Sequence, residues 1–381
     1  MRAHNERVVL TLIRQLGPMP KAEIARLTGL SAQTVSVIMR ALEADGLLEK
    51  GEPVRGRVGQ PSVPMSLAED GAYFMGLKIG RRSLDLILTD FRGQVKGRMF
   101  REHSHPTPDG AVTFAHEAVE TLISHLPATH RDRLAGLGVA MPFRLWDWAE
   151  PLGLQPGDMD TWRSRDIIDE LSGAWDFPIY LQNDATAACA AELVFGDNDR
   201  PSDFLYFYIG FFIGGGIVLD NMLVTGRSGN AGALGPMPLG WRQGHQVQLI
   251  DVASLCELEK QMRAKAHPSD MIWSDPEGWA IPDDIVESWM NDAVDGIAHA
   301  IFTSCSLIDF GDVLIDGWMP ENLRAEVVAR TEKRLAGMKW VGLDRPNVRA
   351  GSVGSDARAL GAASLPLSDN FLVDRNALLK G

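Results

Sequence analysis

The first side chains in this sequence that could do chemistry lie on one face of a short predicted helix near the start of the chain. They are polar and recur at helical spacing, and their size allows contact with base edges or phosphates from a major groove. These predicted DNA contacts are Ser31, Gln33, Thr34, Ser36 and Arg40. Ser31 is also the predicted N-cap of the helix, because its hydroxyl can accept a backbone N–H bond. The pattern indicates a helix that reads double-stranded DNA.

Two predicted helices position that face. Ile24, Ala25 and Leu27 give the first helix an apolar stripe, and Gly29 ends it. The second helix has four residues for its buried face, Val35, Ile38, Met39 and Leu42. Two short helices joined at a glycine are typical of a helix-turn-helix.

A predicted hairpin follows the two helices. Its first strand begins at Leu47, its second strand holds Val63 and Met65, and a glycine-rich turn joins them. The turn supplies three further predicted DNA contacts, Arg55, Arg57 and Gln60. Arginines beside glycine can enter a narrow, electronegative minor groove. The segment therefore predicts a winged helix-turn-helix, and a helical protein-docking module is the alternative.

The distribution of charge supports this division. Of 37 basic and 50 acidic side chains, nine basic and six acidic ones fall in residues 1–67. That segment has a net charge of +3, whereas the whole chain has −13 and the remainder therefore −16. Phosphate repels an acidic surface, so we expect DNA contact only in the first segment.

The length of 381 residues exceeds that of a usual single domain. The predicted divisions are a winged helix-turn-helix at 1–70, a first α/β lobe at 71–185 and a second α/β lobe at 186–381, whose last helix can return to the first lobe. No apolar run reaches the roughly 18–20 residues that span a bilayer, and charge interrupts the N-terminus where a signal peptide is apolar. We therefore expect a cytoplasmic protein that has no membrane partner.

Strands and helices alternate after residue 67. In the first half, strands are predicted at 73–79, 84–90, 95–100 and 134–139, with a helix at 109–125. The turns between the first three strands are short, which predicts an antiparallel meander.

The second half repeats this pattern. A strand at 177–181 ends before an Asn-Asp pair, and an alanine-rich helix follows. Strands at 204–209 and 216–219 form a predicted hairpin around the glycines between 210 and 216. Three strands, a helix and a further strand in each half predict two related α/β lobes.

Six motifs stand in a specific order along the chain. They are GLKIGRR from Gly76, GVAMP from Gly138, LQNDATAACAAE from Leu181, IGFFIGGGIVLDN from Ile209, GNAGALGPMP from Gly229 and ARALGAASLPL from Ala357. With the winged helix before them, they resemble the ROK family, which joins repressors, uncharacterised reading frames and sugar kinases on an actin-like, ribonuclease H-like fold. The resemblance extends from about residue 5 to residue 367. It implies a bilobal, actin-like α/β body.

The first motif departs from the kinase members of the family. Kinases carry a phosphate loop of the form DxGGTK, whose acidic residue organises the magnesium ion. Lys78 stands at the acidic position here, and Arg81 puts a long side chain where backbone must approach the phosphates. We therefore predict no catalytic residues and no kinase activity. The alternative is that Lys78 and Arg81 bind an anion themselves.

The Asn-Asp pair, Asn183 and Asp184, matches the sugar site of the family. Asp184 stands where kinase members have the base that takes the proton of the sugar hydroxyl. Without a phosphate donor, the resemblance implies that Asp184 accepts hydrogen bonds from a sugar or polyol effector, with Asn183 donating and accepting beside it. Asp184 can instead cap the following helix, and both roles can coexist.

The remaining motifs give little support to a nucleotide or a metal. The glycines at 214–216 alone are weak evidence for a nucleotide, and a tight hairpin that needs glycine backbone conformations is the favoured interpretation. Kinases and many sugar-responsive repressors of the family carry a zinc site in GExGH and CxCGxxGC motifs. Ala233 and Pro236 replace the glutamate and histidine here, and no CxC follows. We therefore predict no metal and no cofactor.

Two tryptophans and two histidines lie near these motifs. Trp146 and Trp148 can stack on a sugar ring, but packing beneath a loop is the favoured interpretation. His103 and His105 are predicted to be solvated loop residues.

Together these features predict a sugar-responsive transcription regulator, a repressor of genes for carbohydrate uptake or catabolism. A homodimer or homotetramer would bind an inverted-repeat operator with half-sites one or two helical turns apart, at about 10 bp per turn. Closure of the two lobes on a sugar would change the placement of two winged helices. An active ATP-dependent sugar kinase with an appended helical module is the alternative. A protein-docking scaffold that has lost its DNA contacts or its pocket is a third possibility.

Overall fold

The computed structural model describes residues 2–53, 62–242 and 244–373, and its first part joins three helices to a short antiparallel strand pair. These elements are α1 (Arg2–Leu16), α2 (Lys21–Thr28), α3 (Ala32–Ala44), β1 (Leu48–Lys50) and β2 (Met65–Leu67). The predicted helix-turn-helix is confirmed. Gly29 ends α2 in a left-handed conformation with φ of 71°, and Ser31 caps α3. The second strand begins only at Met65, because the preceding proline has no N–H to donate to the ladder.

The buried face of α3 is also confirmed, whereas one residue of the α2 stripe is not. The four apolar residues predicted for α3 are all 4% exposed or less. Ile24 of α2 is fully buried, but Leu27 is 41% exposed, so its assignment to the buried stripe is wrong. α1 packs on the other two helices and on β2, and this additional helix covers the apolar side of the pair.

The first α/β lobe forms around a five-stranded mixed sheet. Its elements are β3 (Tyr73–Ile79), β4 (Ser83–Thr89), β5 (Val95–Glu102), α4 (Pro108–His125), β6 (Leu134–Ala140), α5 (Ile167–Leu171) and β7 (Ile179–Gln182). The strand order is β5-β4-β3-β6-β7, with β3, β4 and β5 antiparallel and with β6 and β7 parallel to β3. The predicted meander, helix and further strand are confirmed. α4 buries an alanine-rich face with Phe114 and Leu122 against this sheet.

The second lobe repeats that sheet. Its elements are α6 (Asp184–Phe195), β8 (Phe204–Ile209), β9 (Ile213–Leu219), β10 (Met222–Val224), β11 (Pro238–Arg242), β12 (His245–Gln248), α7 (Ile250–Ala253), α8 (Leu255–Ala264), α9 (Met271–Ser274), α10 (Asp283–Cys305), β13 (Asp312–Gly317), α11 (Glu321–Ala336), β14 (Asn347–Ala350) and α12 (Ala357–Phe371). The strand order is β10-β9-β8-β13-β14, again a meander followed by two parallel strands. The prediction of two related α/β lobes is confirmed by this shared order.

The predicted position of the glycine cluster is wrong. The turn between β8 and β9 spans residues 210–212, and Gly214, Gly215 and Gly216 lie inside β9. A Cβ on Gly214 would lie 2.6 Å from the Cβ of Ala185, and one on Gly216 would lie 2.5 Å from the Cβ of Cys189. Both neighbours belong to α6. Gly214 and Gly216 therefore serve the direct packing of α6 on β9, and the three glycines do not form the turn.

The described residues form two compact units. The first contains the residues up to Gln182 and those from Ala362 onward, and the second contains Asn183–Gly361. The chain passes between the units twice, once between Gln182 and Asn183 and once within α12, which begins in the second unit and ends in the first. Among the described residues, no helix combines the length and the hydropathy needed to cross a bilayer.

Candidate DNA interface and effector site

The outer face of α3 carries the predicted DNA contacts. Gln33 and Arg40 are exposed, and Thr34 and Ser36 are half-buried. The Oγ of Ser31 accepts the backbone N–H of Thr34 at 3.1 Å, so Ser31 serves as N-cap as well as lying at the surface. The structure therefore brings this group together on one accessible face.

One of these side chains, Arg40, is held against its own helix. The Nε of Arg40 donates to the backbone oxygen of Ser36 at 3.1 Å, which directs the guanidinium back along α3. The other predicted contacts, Arg55, Arg57 and Gln60, lie outside the described residues. One surface residue was missed by the sequence analysis, because its type is apolar: Val37 is 51% exposed in the middle of the same face.

The winged helix is fixed to the first lobe by polar contacts. Arg92, in the turn after β4, donates from Nε to the backbone oxygen of Leu67 at 2.9 Å and from Nη2 to Glu49 at 2.5 Å. Arg133 donates to the backbone oxygen of Asp70 at 2.9 Å. Arg14 of α1 donates to the backbone oxygen of Phe91. These contacts join α1, β1, β2 and the residues just after β2 to the lobe.

The segment from Lys78 to Arg82 is a compact basic turn. Lys78 is only 5% exposed, and its Nζ donates to the Oγ of Ser83 at 2.9 Å. A Cβ on Gly80 would lie 3.0 Å from the Cε of Lys78, so the lysine stem occupies the space beside the glycine. An ammonium group at this position cannot hold a magnesium ion, because like charges repel.

Arginines cover both tryptophans that could have stacked on a sugar ring. The guanidinium of Arg81 lies over the ring of Trp148 at 5.1 Å, and that of Arg163 lies over Trp146 at 5.7 Å. Each pair is a cation–π contact. Trp146 also packs against the apolar core of the first lobe, which agrees with the packing interpretation for this residue.

His103 is half-buried beside this turn, as is His105, so the prediction of solvated loop residues is wrong for both. The backbone N–H of His103 donates to the oxygen of Arg82 at 3.1 Å. Burial lowers the pKa of His103 to about 4, and the positive charge of Lys78 acts in the same direction. The imidazole is therefore neutral at physiological pH.

A stability measurement against pH tests this environment. The unfolded chain takes up a proton at His103 near pH 6.5, whereas the folded protein does so only near pH 4. Stability should therefore fall as the pH is lowered from 6.5 to 4, and His103→Gln should reduce that slope. Urea unfolding at several pH values measures the effect, with the exposed His125→Gln as the matched control. An unchanged slope in His103→Gln would contradict the burial of the imidazole.

The Asn183-Asp184 pair begins α6, and the two residues have different roles. The Oδ1 of Asn183 accepts the backbone N–H groups of Ala185 at 3.1 Å and Thr186 at 3.4 Å. Asn183 is therefore the N-cap, and the suggestion that Asp184 caps the helix is wrong. Asp184 follows as the first helical residue and is 8% exposed.

Asp184 faces a cation that the sequence analysis did not single out. The Oδ2 of Asp184 lies 3.8 Å from Nη1 of Arg358, which belongs to the first turn of α12. The guanidinium also lies over the ring of Tyr208 at 5.0 Å, and burial raises the pKa of Tyr208 to about 12. The signal was available, because Arg358 is the one charged residue of the ARALGAASLPL motif.

A glycine-rich turn precedes α12, and internal carboxylates occupy its backbone N–H groups. Glu192 accepts the N–H groups of Ser352 at 3.0 Å and Val353 at 3.3 Å. Asp316 accepts the N–H of Gly354 at 2.8 Å. Successive N–H groups of this kind can bind an external anion such as phosphate. In this protein, the carboxylates of Glu192 and Asp316, from the same unit, accept these N–H groups in place of an external anion.

Asp316 is the centre of this buried network. It is fully buried at the end of β13 and forms an ion pair with Arg324, with 2.6 Å between Oδ1 and Nη1. The hydroxyl of Tyr206 donates to its Oδ2 at 3.1 Å. Burial also raises the pKa of the nearby Glu192, although its hydrogen bonds to the turn act in the opposite direction.

Comparison with known protein families gives a match for the winged helix and a match for the α/β body. Residues 74–368 match the profile of the ROK family. The chain belongs to the ROK family. Residues 4–53 of this ROK protein match the MarR family profile, which covers α1, α2, α3 and β1.

Curated relatives of this ROK protein include sugar repressors. An uncharacterised protein of Sinorhizobium fredii is 25% identical over 371 residues, which cover 96% of this chain and 91% of that protein. The xylose repressor of Bacillus subtilis is 24% identical over 235 residues, or 62% of this chain and 60% of the repressor. The transcriptional repressor Mlc of Escherichia coli is 24% identical over 287 residues, or 71% and 68% of the two chains.

Solved structures share the fold. A ROK family transcriptional regulator, described as a homologue of the Escherichia coli Mlc protein, has a TM-score of 0.67 at 20% identity and covers 100% of this chain and 99% of its own. A ROK glucokinase from Streptomyces griseus in complex with glucose and AMPPNP has a TM-score of 0.58 at 22% identity, covering 77% of this chain and 99% of its own. The actin-like body preceded by a winged helix is therefore confirmed as the fold of this ROK protein.

Proposed function

We propose that this protein is a sugar-responsive DNA-binding transcription regulator, a repressor of genes for carbohydrate uptake or catabolism, without kinase activity. The observation that carries the proposal is the exposed polar face of α3, in a MarR-type winged helix that precedes a ROK body. The names of the similar repressors, for xylose and for N-acetylglucosamine, support a carbohydrate effector.

The basic turn supports the absence of phosphoryl transfer. Phosphoryl transfer depends on metal ions and positioned donors that neutralise the transferred phosphate. Lys78 is buried at the position where the kinases have an acidic residue, and it donates to Ser83. The carboxylates of Glu192 and Asp316 already accept hydrogen bonds from the backbone N–H groups before α12. Neither arrangement favours bound magnesium and nucleotide.

Asp184 is the proposed effector contact. Its carboxylate has acceptor capacity beyond the long contact with Arg358, and sugar hydroxyl groups are suitable donors. Asn183 uses its Oδ1 to cap α6, which places Asp184 in the first turn of that helix. An effector that binds Asp184 would change the position of Arg358 in the first turn of α12.

The far end of α12 packs on the first lobe, and the chain just after it contacts the winged helix. Phe371 packs edge-on against Phe74 and Phe91, with ring centroids 5.8 and 5.0 Å apart. The backbone N–H of Val373 donates to the Oγ1 of Thr11 in α1 at 3.1 Å. α12 begins with Arg358 beside the effector residue, and Val373 just after its end contacts α1, which gives a physical route for the response. The effector must bind two states with different affinity for this route to operate.

Shortening Phe371 tests that route. Phe371→Ala should leave operator affinity and sugar affinity nearly unchanged but should weaken the effect of sugar on operator binding, because the contact between α12 and the lobe beneath α1 is lost. Fluorescence anisotropy with labelled operator, with and without sugar, measures all three quantities. Phe371→Leu retains an apolar contact and should keep part of the response. A full response in Phe371→Ala would exclude α12 as the route.

The partners that we propose are an inverted-repeat operator and a second copy of the chain, as a homodimer or homotetramer. Selection from random duplexes with the full-length protein, followed by footprinting, tests the DNA part. Two protected half-sites about 10 or 20 bp apart are expected. A single asymmetric footprint, or no enrichment, would contradict the proposal.

The alternative function is an active sugar kinase, which the ROK kinase folds among the structural neighbours favour. A coupled assay with ATP, magnesium and a panel of hexoses decides between the two. If the wild-type protein phosphorylates a hexose and Asp184→Asn does not, the protein is a kinase and the regulator proposal is wrong. If no hexose of the panel is phosphorylated, the result agrees with the regulator.

A further inference from the structure

Val37 lies in the middle of the outer face of α3. It follows Gln33 by four residues and precedes Arg40 by three, so the three side chains share one stripe of the helix. Gln33 and Arg40 are exposed, and Val37 is 51% exposed between them. The stripe therefore has an apolar centre between two hydrogen-bonding side chains.

This valine contributes little to the winged helix itself. The core face of α3 is complete without it, because Val35 and Met39 are fully buried and Ile38 is 4% exposed. A β-branched residue also lowers the intrinsic stability of a helix compared with alanine or glutamine. Neither helix propensity nor packing favours a valine at this position. Its place between two side chains of the predicted DNA-reading face makes it a candidate contact with DNA.

We infer that Val37 contacts the 5-methyl group of a thymine in the operator. The inference rests on the proposed function, namely that α3 reads the major groove. On the major-groove edge of the four base pairs, the thymine methyl is the apolar group, and the other positions are donors and acceptors. Glutamine is suited to adenine and arginine to guanine. Gln33, Val37 and Arg40 therefore form a set that can recognise adenine, thymine and guanine close together.

Replacement of thymine by deoxyuridine removes that methyl group and leaves the hydrogen-bonding edge unchanged. The full-length protein first selects its operator from random duplexes. Each thymine is then replaced in turn by deoxyuridine, in both half-sites at once, and the Kd is measured by anisotropy at fixed salt. At one position the wild-type protein should bind about fourfold more weakly per half-site, which corresponds to ~0.8 kcal/mol for one buried methyl-sized group.

The variant Val37→Ala identifies the side chain responsible. It should bind the thymine operator more weakly than wild type, and it should lose its sensitivity to uracil at that one position while keeping any sensitivity elsewhere. Val341→Ala, a change at a valine that is 93% exposed outside the winged helix, is the matched control and should behave as wild type.

The possible failures are distinct. If selection enriches no sequence, the proposed DNA-binding function fails, and the assignment of Val37 fails with it. The other outcome is an operator at which each replacement of thymine by deoxyuridine changes the Kd equally for wild type and Val37→Ala. In that case the DNA-binding function stands and the assignment of Val37 is overturned.

Discussion

Asp316→Ala should lower the free energy of unfolding by about 3–5 kcal/mol, because it removes one partner of a buried ion pair. Arg324 would be left partly buried without the carboxylate that now lies 2.6 Å from its Nη1. The hydroxyl of Tyr206 and the N–H of Gly354 would lose their acceptor as well. Urea-induced unfolding, followed by circular dichroism, measures the change.

Two comparisons make this measurement specific. Asp344→Ala removes an exposed carboxylate from the same unit and should change the stability by less than about 0.5 kcal/mol. The double variant Asp316→Ala with Arg324→Met should lose less stability than the sum of the two single variants, since no unpaired charge remains buried. Additive losses would show that the two side chains do not act as a pair.

Asp184→Ala should abolish the stabilisation that a sugar effector gives. A ligand at 100 times its Kd adds about 2.7 kcal/mol to the stability of the folded protein. Asp184 is the proposed acceptor for its hydroxyl groups, so that increment should disappear in the variant. A thermal-shift screen of sugars and sugar phosphates on the wild-type protein identifies the ligand, and the same titration on the variant measures the loss.

Operator affinity serves as the internal control for this variant. Asp184 lies on α6, whereas the DNA contacts lie on α3, so Asp184→Ala should bind operator like the wild type in the absence of sugar. Asp184→Asn keeps the shape and removes the charge next to Arg358, and it separates loss of an acceptor from loss of the ion pair. A wild-type response to an identified sugar in Asp184→Ala would show that the effector binds elsewhere.

Local patterns were sufficient for much of the fold. Two helices could be predicted from the glycine that ends α2, the serine that caps α3 and the spacing of apolar residues within each helix. The caps form hydrogen bonds to residues three or four positions away, and the apolar residues form one buried face. The meander of β3, β4 and β5 was likewise predictable, because short turns connect strands that pair with their chain neighbours. These are interactions between residues close in sequence.

Other features depend on residues far apart in the chain. The sequence analysis placed the glycines at 214–216 in a turn, whereas they lie inside β9, where Gly214 and Gly216 allow α6 to pack closely. His103 was expected to be solvated, but the turn from Lys78 to Ser83 partly buries it and lowers its pKa. Nothing in the local pattern of either segment contains this information.

The sequence alone determined the family, the presence of a DNA-reading helix and the loss of the acidic residue at Lys78, because residue type and order carry these properties. The tertiary structure decided which groups act together. In the folded protein, Asp184 lies beside Arg358, which is 174 positions away in the sequence, and Asn183 is the N-cap of α6. It also left Val37 exposed on α3. Side chains meet through packing of distant segments, and the burial that follows sets their charge, their partners and their availability to a ligand.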